Sequence, residues 1–255
     1  MEKFVSLFLE DLKKIKNISS NTESSYRRDL NALLAFLSGK GIKDLSLVKS
    51  EDLASYISFL EANGKKASTI SRMIASMHSF FDYLFKNGVI TSDVSEEIKA
   101  PKIEKKDPKL LEVEEIVKLL SQPDVKNPKG LRDKAMLELV CSAGLRVSEV
   151  ISLTEKDIDM DQRFVQCSDH KSVKIISYGK DAARAISEYI KSGRKFLVKN
   201  NEDLDVLFPN CYCKPMSRQG FWKMIKEYAQ KAHITNEITT HTLRNYYLYN
   251  SKTTV

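Results

Sequence analysis

Hydrophobic residues recur at helical spacing through the first third of the chain, up to Asn87. Apolar positions three or four residues apart are typical of amphipathic helices that bury one face in a shared core. Four such segments are present, and their apolar positions are Phe4, Phe8, Leu12 and Ile15; Tyr26, Leu30, Leu33 and Leu37; Leu53, Ile57 and Leu60; and Ile70, Ile74, Met77, Phe81 and Leu84. The pattern predicts a four-helix domain over residues 1–98.

Capping signals support these helices. Ser20 and Glu23 have capping-box spacing at the start of the second segment, and Asn-Gly pairs follow the third and fourth. A polar connector comes next, because residues 99–109 (KAPKIEKKDPK) hold two prolines, five lysines and almost nothing apolar. We therefore expect a linker at 99–109 and a second domain over 110–255.

The second domain has a mixed pattern. Helical spacing extends over 112–120, 131–142, 148–153, 180–198 and 217–232, and a last helix is expected from Thr240. Runs rich in β-branched residues at 163–167 and 173–177, joined by the polar turn 168–172, predict a β-hairpin. A further short strand is expected at 206–208. The predicted fold class is mainly α with a small β-sheet, in two domains.

Composition narrows the function only slightly. The 255 residues include 41 Lys and Arg against 34 Asp and Glu, so the formal charge is +7, which favours anionic partners without proving nucleic-acid binding. The first residues carry charges every few positions, so we expect no signal peptide, no membrane partner and a cytoplasmic protein. The four cysteines form no Cys-x-x-Cys pair, and we expect them to be reduced, with no metal site.

A few basic residues stand where they could act on a phosphate. Arg146 follows a glycine turn and precedes a helix, and His241 and Arg244 are three residues apart on one helical face. With Lys171 in the hairpin turn, they could neutralise a phosphate and transfer a proton. Capping or solvated surface roles are the more common explanation for such residues, so the residues alone permit phosphate chemistry without favouring it.

The sequence also resembles a known family. Residues 131–153, Leu-Arg-Asp-Lys-Ala-Met-Leu-Glu-Leu-Val-Cys-Ser-Ala-Gly-Leu-Arg-Val-Ser-Glu-Val-Ile-Ser-Leu, closely resemble a signature block of bacterial tyrosine recombinases of the phage-integrase family, in particular the Xer-type members. The resemblance extends to residues 22–30, 205–209, 217–226 and 241–244, the last matching the family's His-x-x-Arg box. Essentially the whole chain is covered.

The resemblance implies a two-domain DNA clamp: a helical core-binding domain and an α+β catalytic domain that close around duplex DNA. It implies that Arg146, Lys171, His241 and Arg244 are catalytic residues at the scissile phosphate. In the family a tyrosine attacks this phosphate and forms a 3′-phosphotyrosyl intermediate, which needs no metal and no small-molecule cofactor. The implied partners are double-stranded DNA and other recombinase protomers.

The hairpin departs from the family pattern. The family turn has the form Gly-Lys-Gly-x-Lys-x-Arg, whereas residues 168–174 are Ser-Asp-His-Lys-Ser-Val-Lys, with a shorter turn and no glycine. Lys171 is the first choice for the residue that protonates the leaving 5′-oxygen, and Lys174 is the reserve.

A second departure follows Arg244. The family continues with helices that bring a second His or Trp and the nucleophilic tyrosine, and we expect this catalytic domain to be truncated before them, so that the chain binds DNA without cleaving it. The alternatives are cleavage by Tyr246, Tyr247 or Tyr249, cleavage by a tyrosine from a neighbouring protomer, and a non-catalytic regulatory remnant that competes with a full-length recombinase.

Overall fold

The computed structural model describes residues 1–102, 111–169, 172–198, 204–236 and 238–253. The chain divides into two compact units, Met1–Lys106 and Asp107–Val255, each with its own hydrophobic core. From residue 103 onward the predicted linker lies outside the described residues. In the described parts of the chain, no helix has both the length and the apolar character that crossing a membrane requires.

Unit 1 contains the four predicted helices. These are α1 (Glu2–Lys16), α2 (Ser20–Gly39), α3 (Ser50–Ala62) and α4 (Ala67–Lys86), with a 3₁₀ turn at Leu45–Leu47 between α2 and α3. The capping residue of α2 is Ser19 rather than Ser20, because the Ser19 Oγ accepts a hydrogen bond from the Thr22 amide at 3.2 Å. The prediction for Ile15 is also wrong: it is 73% exposed in the lysine-rich last turn of α1.

Aromatic side chains fill the centre of unit 1. Phe8 on α1 packs edge-on against Phe80 on α4, with ring centroids 5.4 Å apart, and Phe80 in turn packs against Phe81 at 5.8 Å. All three rings are at most 1% exposed. One charged group is buried beside them, since Asp29 on α2 is 6% exposed and forms an ion pair with the half-exposed Arg72 on α4.

Unit 2 is also mainly helical. Its helices are α5 (Val113–Leu120), α6 (Pro128–Ala143), α7 (Val147–Ser152), α8 (Lys180–Glu188), α9 (Lys195–Val198), α10 (Arg218–Lys231) and α11 (Thr240–Thr253). A π-helical segment at Tyr189–Arg194 joins α8 to α9, so the predicted helix over 180–198 is continuous but not α-helical throughout. Helix α6 is buried on most sides and forms the centre of the unit.

A three-stranded antiparallel sheet lies in unit 2, with β1 (Ile158–Asp159), β2 (Phe164–Asp169) and β3 (Ser172–Ser177) in the order β1-β2-β3. The predicted hairpin is confirmed, although its strands are longer and its turn shorter than expected. Strand β1 was not predicted from the sequence. The strand expected at 206–208 is wrong: Val206 forms a single bridge to Thr154, and both Leu207 and Phe208 then enter the core instead of alternating.

A buried ion pair links three segments of unit 2. Arg132 and Asp133, neighbours on α6, are 3% and 0% exposed, and two guanidinium nitrogens of Arg132 donate to one Asp133 oxygen at 2.9 and 2.6 Å. The Arg132 Nη1 donates to the Pro209 carbonyl at 2.8 Å, and the Tyr228 hydroxyl on α10 donates to the second Asp133 oxygen at 2.8 Å. Helix α6 is thereby fixed to the segment around Pro209 and to α10. Helix α10 also carries part of the pocket described below.

Candidate functional site

A pocket of about 520 Å³ opens on unit 2 between the first residues of three helices. Three of the four residues singled out from the sequence, Arg146, His241 and Arg244, line this pocket together. The remaining lining residues are Val147, Ser148, Arg218, Trp222 and Thr240. Segments that are far apart in the sequence therefore deliver three arginines and one histidine to a single cavity.

Arg146 is presented by the junction between α6 and α7. Gly144 ends α6 in the left-handed conformation (φ 60°), a geometry that glycine adopts without strain, and Leu145 then enters the core at 1% exposure. The Glu149 carboxylate accepts from the Arg146 amide at 2.6 Å and from its guanidinium Nη1 at 3.2 Å. Glu149 thereby orients the half-exposed Arg146 side chain at the rim of the pocket.

His241 and Arg244 lie on the first turns of α11. Thr239 and Thr242 fix the start of this helix by reciprocal bonds: the Thr239 amide donates to the Thr242 Oγ1 at 2.6 Å, and the Thr242 amide donates to the Thr239 Oγ1 at 3.2 Å. Between the two site residues, Leu243 is fully buried and anchors the helix in the core. The backbone that carries His241 and Arg244 is therefore held in place by the capping bonds and by the buried Leu243.

Arg244 has an unused hydrogen-bond donor. Its Nε is buried and has no hydrogen-bond partner among the described residues. A buried polar atom without a partner costs free energy, and this atom belongs to a side chain that lines the pocket. His241 is exposed at the same pocket, where its ring nitrogens are accessible to a ligand.

Arg218 and Trp222 are site residues that the sequence analysis missed. Both lie on α10, whose first residue is Arg218 and whose capping residue Ser217 accepts from the Gly220 amide at 3.0 Å. The indole of Trp222 is 46% exposed, and the ammonium of Lys226 lies 4.4 Å from its ring centroid. The available signal was a serine cap followed at once by arginine, which puts a cation at a helix N-terminus.

The N-terminal ends of α10 and α11 both contribute to the pocket, through Arg218 and through Thr240 with His241. A helix N-terminus carries a partial positive charge and backbone N–H groups with no intrahelical partner. Glu149 is a nearby carboxylate, and it is already bound to Arg146. The electrostatics of the pocket therefore favour an anion such as a phosphate.

Only one of the two candidate hairpin lysines lies within the described residues. Lys171, the first choice from the sequence, lies outside the described residues. Lys174 on β3 pairs directly with Cys167 on β2, so the two side chains share the sheet face that also buries Val165. Ser168 at the end of β2 lines a small cavity with Arg146 and Glu149, which brings the hairpin next to the Arg146 rim.

The charges around Cys167 indicate the same arrangement. Burial raises the pKa of the Cys167 thiol to about 11; the carboxylates of Glu149 and Asp157 also raise this pKa, whereas the ammonium of Lys174 lowers it. Lys174 and Glu149 therefore both affect the pKa of the buried Cys167 thiol. Lys174 thus lies beside Cys167, whose pKa Glu149 on α7 also affects.

The cysteines do not form a metal centre in the described parts of the chain, where no group of three or more His, Cys, Asp or Glu side chains could hold an ion. Cys141 and Cys167 are buried, Cys211 is exposed and Cys213 is half-buried, and all four are free thiols. Burial raises the pKa of Cys141 to about 12, which keeps this thiol protonated and unreactive at neutral pH.

Two family matches cover most of the chain. Residues 109–251 match the phage integrase family, and residues 5–88 match the N-terminal SAM-like domain of phage integrases. The first match contains every residue that lines the pocket. The boundary between the matches falls in the segment that separates the two compact units.

Full-length similarity is found to several bacterial proteins. The chain is 42% identical over 243 residues to a protein of Caldanaerobacter subterraneus subsp. tengcongensis that carries a provisional tyrosine recombinase name; the match covers 95% of this chain and 82% of that protein. It is 34% identical to the tyrosine recombinase XerD of Listeria monocytogenes serotype 4b, over 96% of this chain and 83% of the relative. Similarity to the tyrosine recombinase XerC of Roseiflexus is also 34%, over 94% and 78%.

Solved structures of similar fold include the Tn1549 transposon integrase in complex with circular intermediate DNA. That match has a TM-score of 0.75 at 18% identity and covers 98% of this chain and 87% of the other. A λ integrase dimer bound to a COC′ core site matches with a TM-score of 0.73 at 16% identity, over 99% and 87% of the two chains. At these identities the similarity establishes the fold.

Proposed function

The chain belongs to the phage integrase family of tyrosine recombinases, and we propose that it acts in site-specific DNA recombination by binding a backbone phosphate of duplex DNA in the pocket around Arg146. The observation that carries this proposal is the convergence of Arg146, His241 and Arg244 on one cavity. The XerD and XerC relatives are named as tyrosine recombinases, and the Tn1549 and λ integrases were solved with DNA. The proposed partners are duplex DNA and further recombinase protomers, in the cytoplasm.

Each pocket residue has a proposed role at the phosphate. Arg146 and Arg244 bind the non-bridging oxygens with their guanidinium groups, whose planar donor geometry suits a phosphate. His241 adds a donor to the same oxygens. During displacement the negative charge on these oxygens grows, so fixed donors stabilise the transition state more than the ground state. The unpartnered Nε of Arg244 supports this assignment.

A hairpin lysine is proposed to protonate the leaving 5′-oxygen. Lys171 holds this role in the prediction from family resemblance and lies outside the described residues. Lys174 is supported by its inward position opposite Cys167 and by its electrostatic interaction with that thiol. Lys171→Ala and Lys174→Ala are to be compared for strand cleavage in an assembly in which another protomer supplies the tyrosine, and the variant of the proton donor should lose the greater part of that cleavage.

Neither Tyr246 nor Tyr247 is proposed as the nucleophile. Tyr246 packs against the hydrophobic core of unit 2, and the ring of Tyr247 lies against the backbone of Gly144. A nucleophile must approach the phosphorus in line with the leaving oxygen, and rings engaged in packing are not available for this. The side chain of the third candidate, Tyr249, lies outside the described residues. We propose that this chain by itself binds DNA without cleaving it, and that a cleaving tyrosine comes from another protomer. The alternative is a regulator that competes with full-length recombinases.

Binding can be tested by fluorescence anisotropy with a labelled duplex over a range of salt concentrations. The affinity should fall steeply as salt rises, with a log–log slope of roughly −0.9 for each phosphate neutralised. Arg146→Ala should weaken binding about tenfold, the effect of one charge-assisted hydrogen bond, and should make the slope less steep. Arg184→Ala is the control, because it removes the same charge from an exposed position on α8 outside the pocket. A slope near zero would contradict the proposal.

Cleavage is tested separately with a nicked suicide duplex, from which a covalent protein–DNA adduct would be trapped on a denaturing gel. No adduct is expected from this chain alone. An adduct that persists in Y246F and Y247F variants would assign the nucleophile to another tyrosine of the chain. An adduct lost in either variant would overturn the packing argument for that residue.

A further inference from the structure

The glycine turn before Arg146 lies directly against an aromatic ring of α11. A Cβ atom built on Gly144 would lie 2.3 Å from the Tyr247 Cδ1 and 2.9 Å from its Cε1, so the ring occupies the space that a side chain would need. The turn is also fixed from within, since the Gly144 amide donates to the Val140 carbonyl at 3.0 Å. The ring therefore packs directly against the turn, in space that only a glycine leaves free.

Three contacts among the described residues help to place Arg146. Leu145 is anchored in the core at 1% exposure, Glu149 binds the Arg146 amide at 2.6 Å, and the Tyr247 ring bounds the turn on the remaining side. The first two contacts come from the same stretch of chain as Arg146. Only the third comes from α11, the helix that also carries His241 and Arg244.

Tyr247 follows Arg244 by three residues, so the two side chains project from neighbouring positions on one side of the helix. The ring is therefore a spacer between two cationic segments of the pocket: its thickness sets how closely α11 approaches the Arg146 turn. A smaller side chain would leave a void between α11 and the turn, and the two segments would shift to fill it.

We propose that Tyr247 is a positioning residue, whose ring holds the Arg146 turn at the distance from His241 and Arg244 that a single phosphate requires. This inference rests on the proposed phosphate-binding function. Tyr247 acts through the Gly144 backbone and does not itself touch DNA. Its ring is what matters for this role, so the hydroxyl is dispensable.

The experiment compares Tyr247→Ala with Arg146→Ala in the full chain, by anisotropy with the same labelled duplex. Tyr247→Ala should weaken binding about tenfold and reduce the salt slope by roughly 0.9, because the Arg146 phosphate contact is lost. The double variant should bind no more weakly than Arg146→Ala, since both changes remove one contact. Tyr247→Phe should bind like the unmodified chain.

Tyr246→Ala is the matched control, with the same residue type removed at the adjacent position but from the hydrophobic core. It should lower thermal stability while its effect on binding adds to that of Arg146→Ala. If Tyr247→Ala does not fold by circular dichroism, Tyr247→Leu takes its place under the same criteria. Additive effects of Tyr247→Ala and Arg146→Ala, or a Phe variant as weak as the Ala variant, would overturn the inference. An unchanged affinity in Arg146→Ala would instead refute the proposed phosphate site.

Discussion

The two units bury charge in different ways. In unit 1, Asp29 is buried but its partner Arg72 remains half-exposed, so water still solvates one end of the pair. In unit 2, Arg132 and Asp133 are both almost fully buried, and the Pro209 carbonyl and the Tyr228 hydroxyl complete their hydrogen bonds. Desolvating two charges is repaid only when every remaining donor and acceptor has a partner.

This difference shows what each unit depends on. Unit 1 is held mainly by apolar contacts between its four helices, such as that between Phe8 on α1 and Phe80 on α4. Unit 2 depends on a polar network that joins α6 to α10 and to the segment around Pro209, and the same helices carry or border the proposed phosphate pocket. A change in the network should therefore affect the stability of unit 2 far more than the corresponding change in unit 1.

The largest effect is expected from Asp133→Ala. It leaves the Arg132 guanidinium buried without its carboxylate, which should lower the free energy of unfolding of unit 2 by about 3–5 kcal/mol. The measurement is urea unfolding followed by fluorescence of Trp222, the single tryptophan of the chain, which lies in unit 2 and reports on it alone.

Asp29→Ala is the matched control for this experiment. The exposed end of its pair is screened by water, so unit 1 should lose only about 1 kcal/mol, and the Trp222 transition should not move. A loss below about 1 kcal/mol for Asp133→Ala would mean that the buried network of unit 2 is no more important than the half-exposed pair of unit 1.

A rise to alkaline pH should lower the free energy of unfolding of unit 2, by less than Asp133→Ala does. All four cysteines lie in unit 2, and burial raises the pKa of Cys141 to about 12 and of Cys167 to about 11, from an ordinary value of 9.0. Above pH 9 the unfolded chain loses these protons while the folded chain retains them, so the stability present below pH 9 declines as pH rises towards 11 and 12.

At pH 10 each of the two thiols should lower the free energy of unfolding of unit 2 by about 1.4 kcal/mol relative to pH 8. Urea unfolding monitored by Trp222 at both pH values measures this change. The variant carrying C141A and C167A should lose that part of the pH dependence. An unfolding free energy that is equal at pH 8 and pH 10 in the unmodified chain would contradict the assignment.

The helices of unit 1 were predictable because periodicity is a local property. Ile70, Ile74 and Phe81 were assigned to one face of α4 from their spacing, and all three are buried. Ile15 has the same spacing within α1 and is exposed, because spacing does not reveal where the rest of the core ends. In unit 2, the prediction of a strand at 206–208 was wrong for a related reason. Strand pairing depends on a distant partner that the local sequence does not specify, and only Val206 forms a bridge.

The pocket was predictable only in part. Arg146, His241 and Arg244 were noticed from their positions in the sequence, but the residues alone favoured capping or surface roles, and only the family resemblance implied that they act at a phosphate. Arg218 and Trp222 reach the same pocket because α10 packs on α6 through Tyr228 and Asp133, a contact between residues 95 positions apart. No local pattern encodes such a contact, and so these two residues emerged only with the fold.

The smallest effect concerns two serine caps, one in each unit. Ser19 caps α2 and accepts from Thr22 at 3.2 Å, while Ser217 caps α10 and accepts from Gly220 at 3.0 Å. Replacing either by alanine removes one helix-capping bond and should lower the free energy of unfolding of its own unit by about 1 kcal/mol. Trp222 fluorescence should detect the loss only for Ser217→Ala.

The two cap variants should also differ in DNA binding. This difference distinguishes the two caps more clearly than the loss of stability does. Ser217 immediately precedes Arg218, so the frayed first turn of α10 in Ser217→Ala should displace Arg218 at the pocket and weaken binding at low salt, measured by anisotropy. Ser19→Ala provides the control for capping as such, because Ser19 precedes a helix of the other unit. Equal binding by the two variants would mean that the start of α10 contributes to the fold of unit 2 and not to DNA binding at the proposed phosphate pocket.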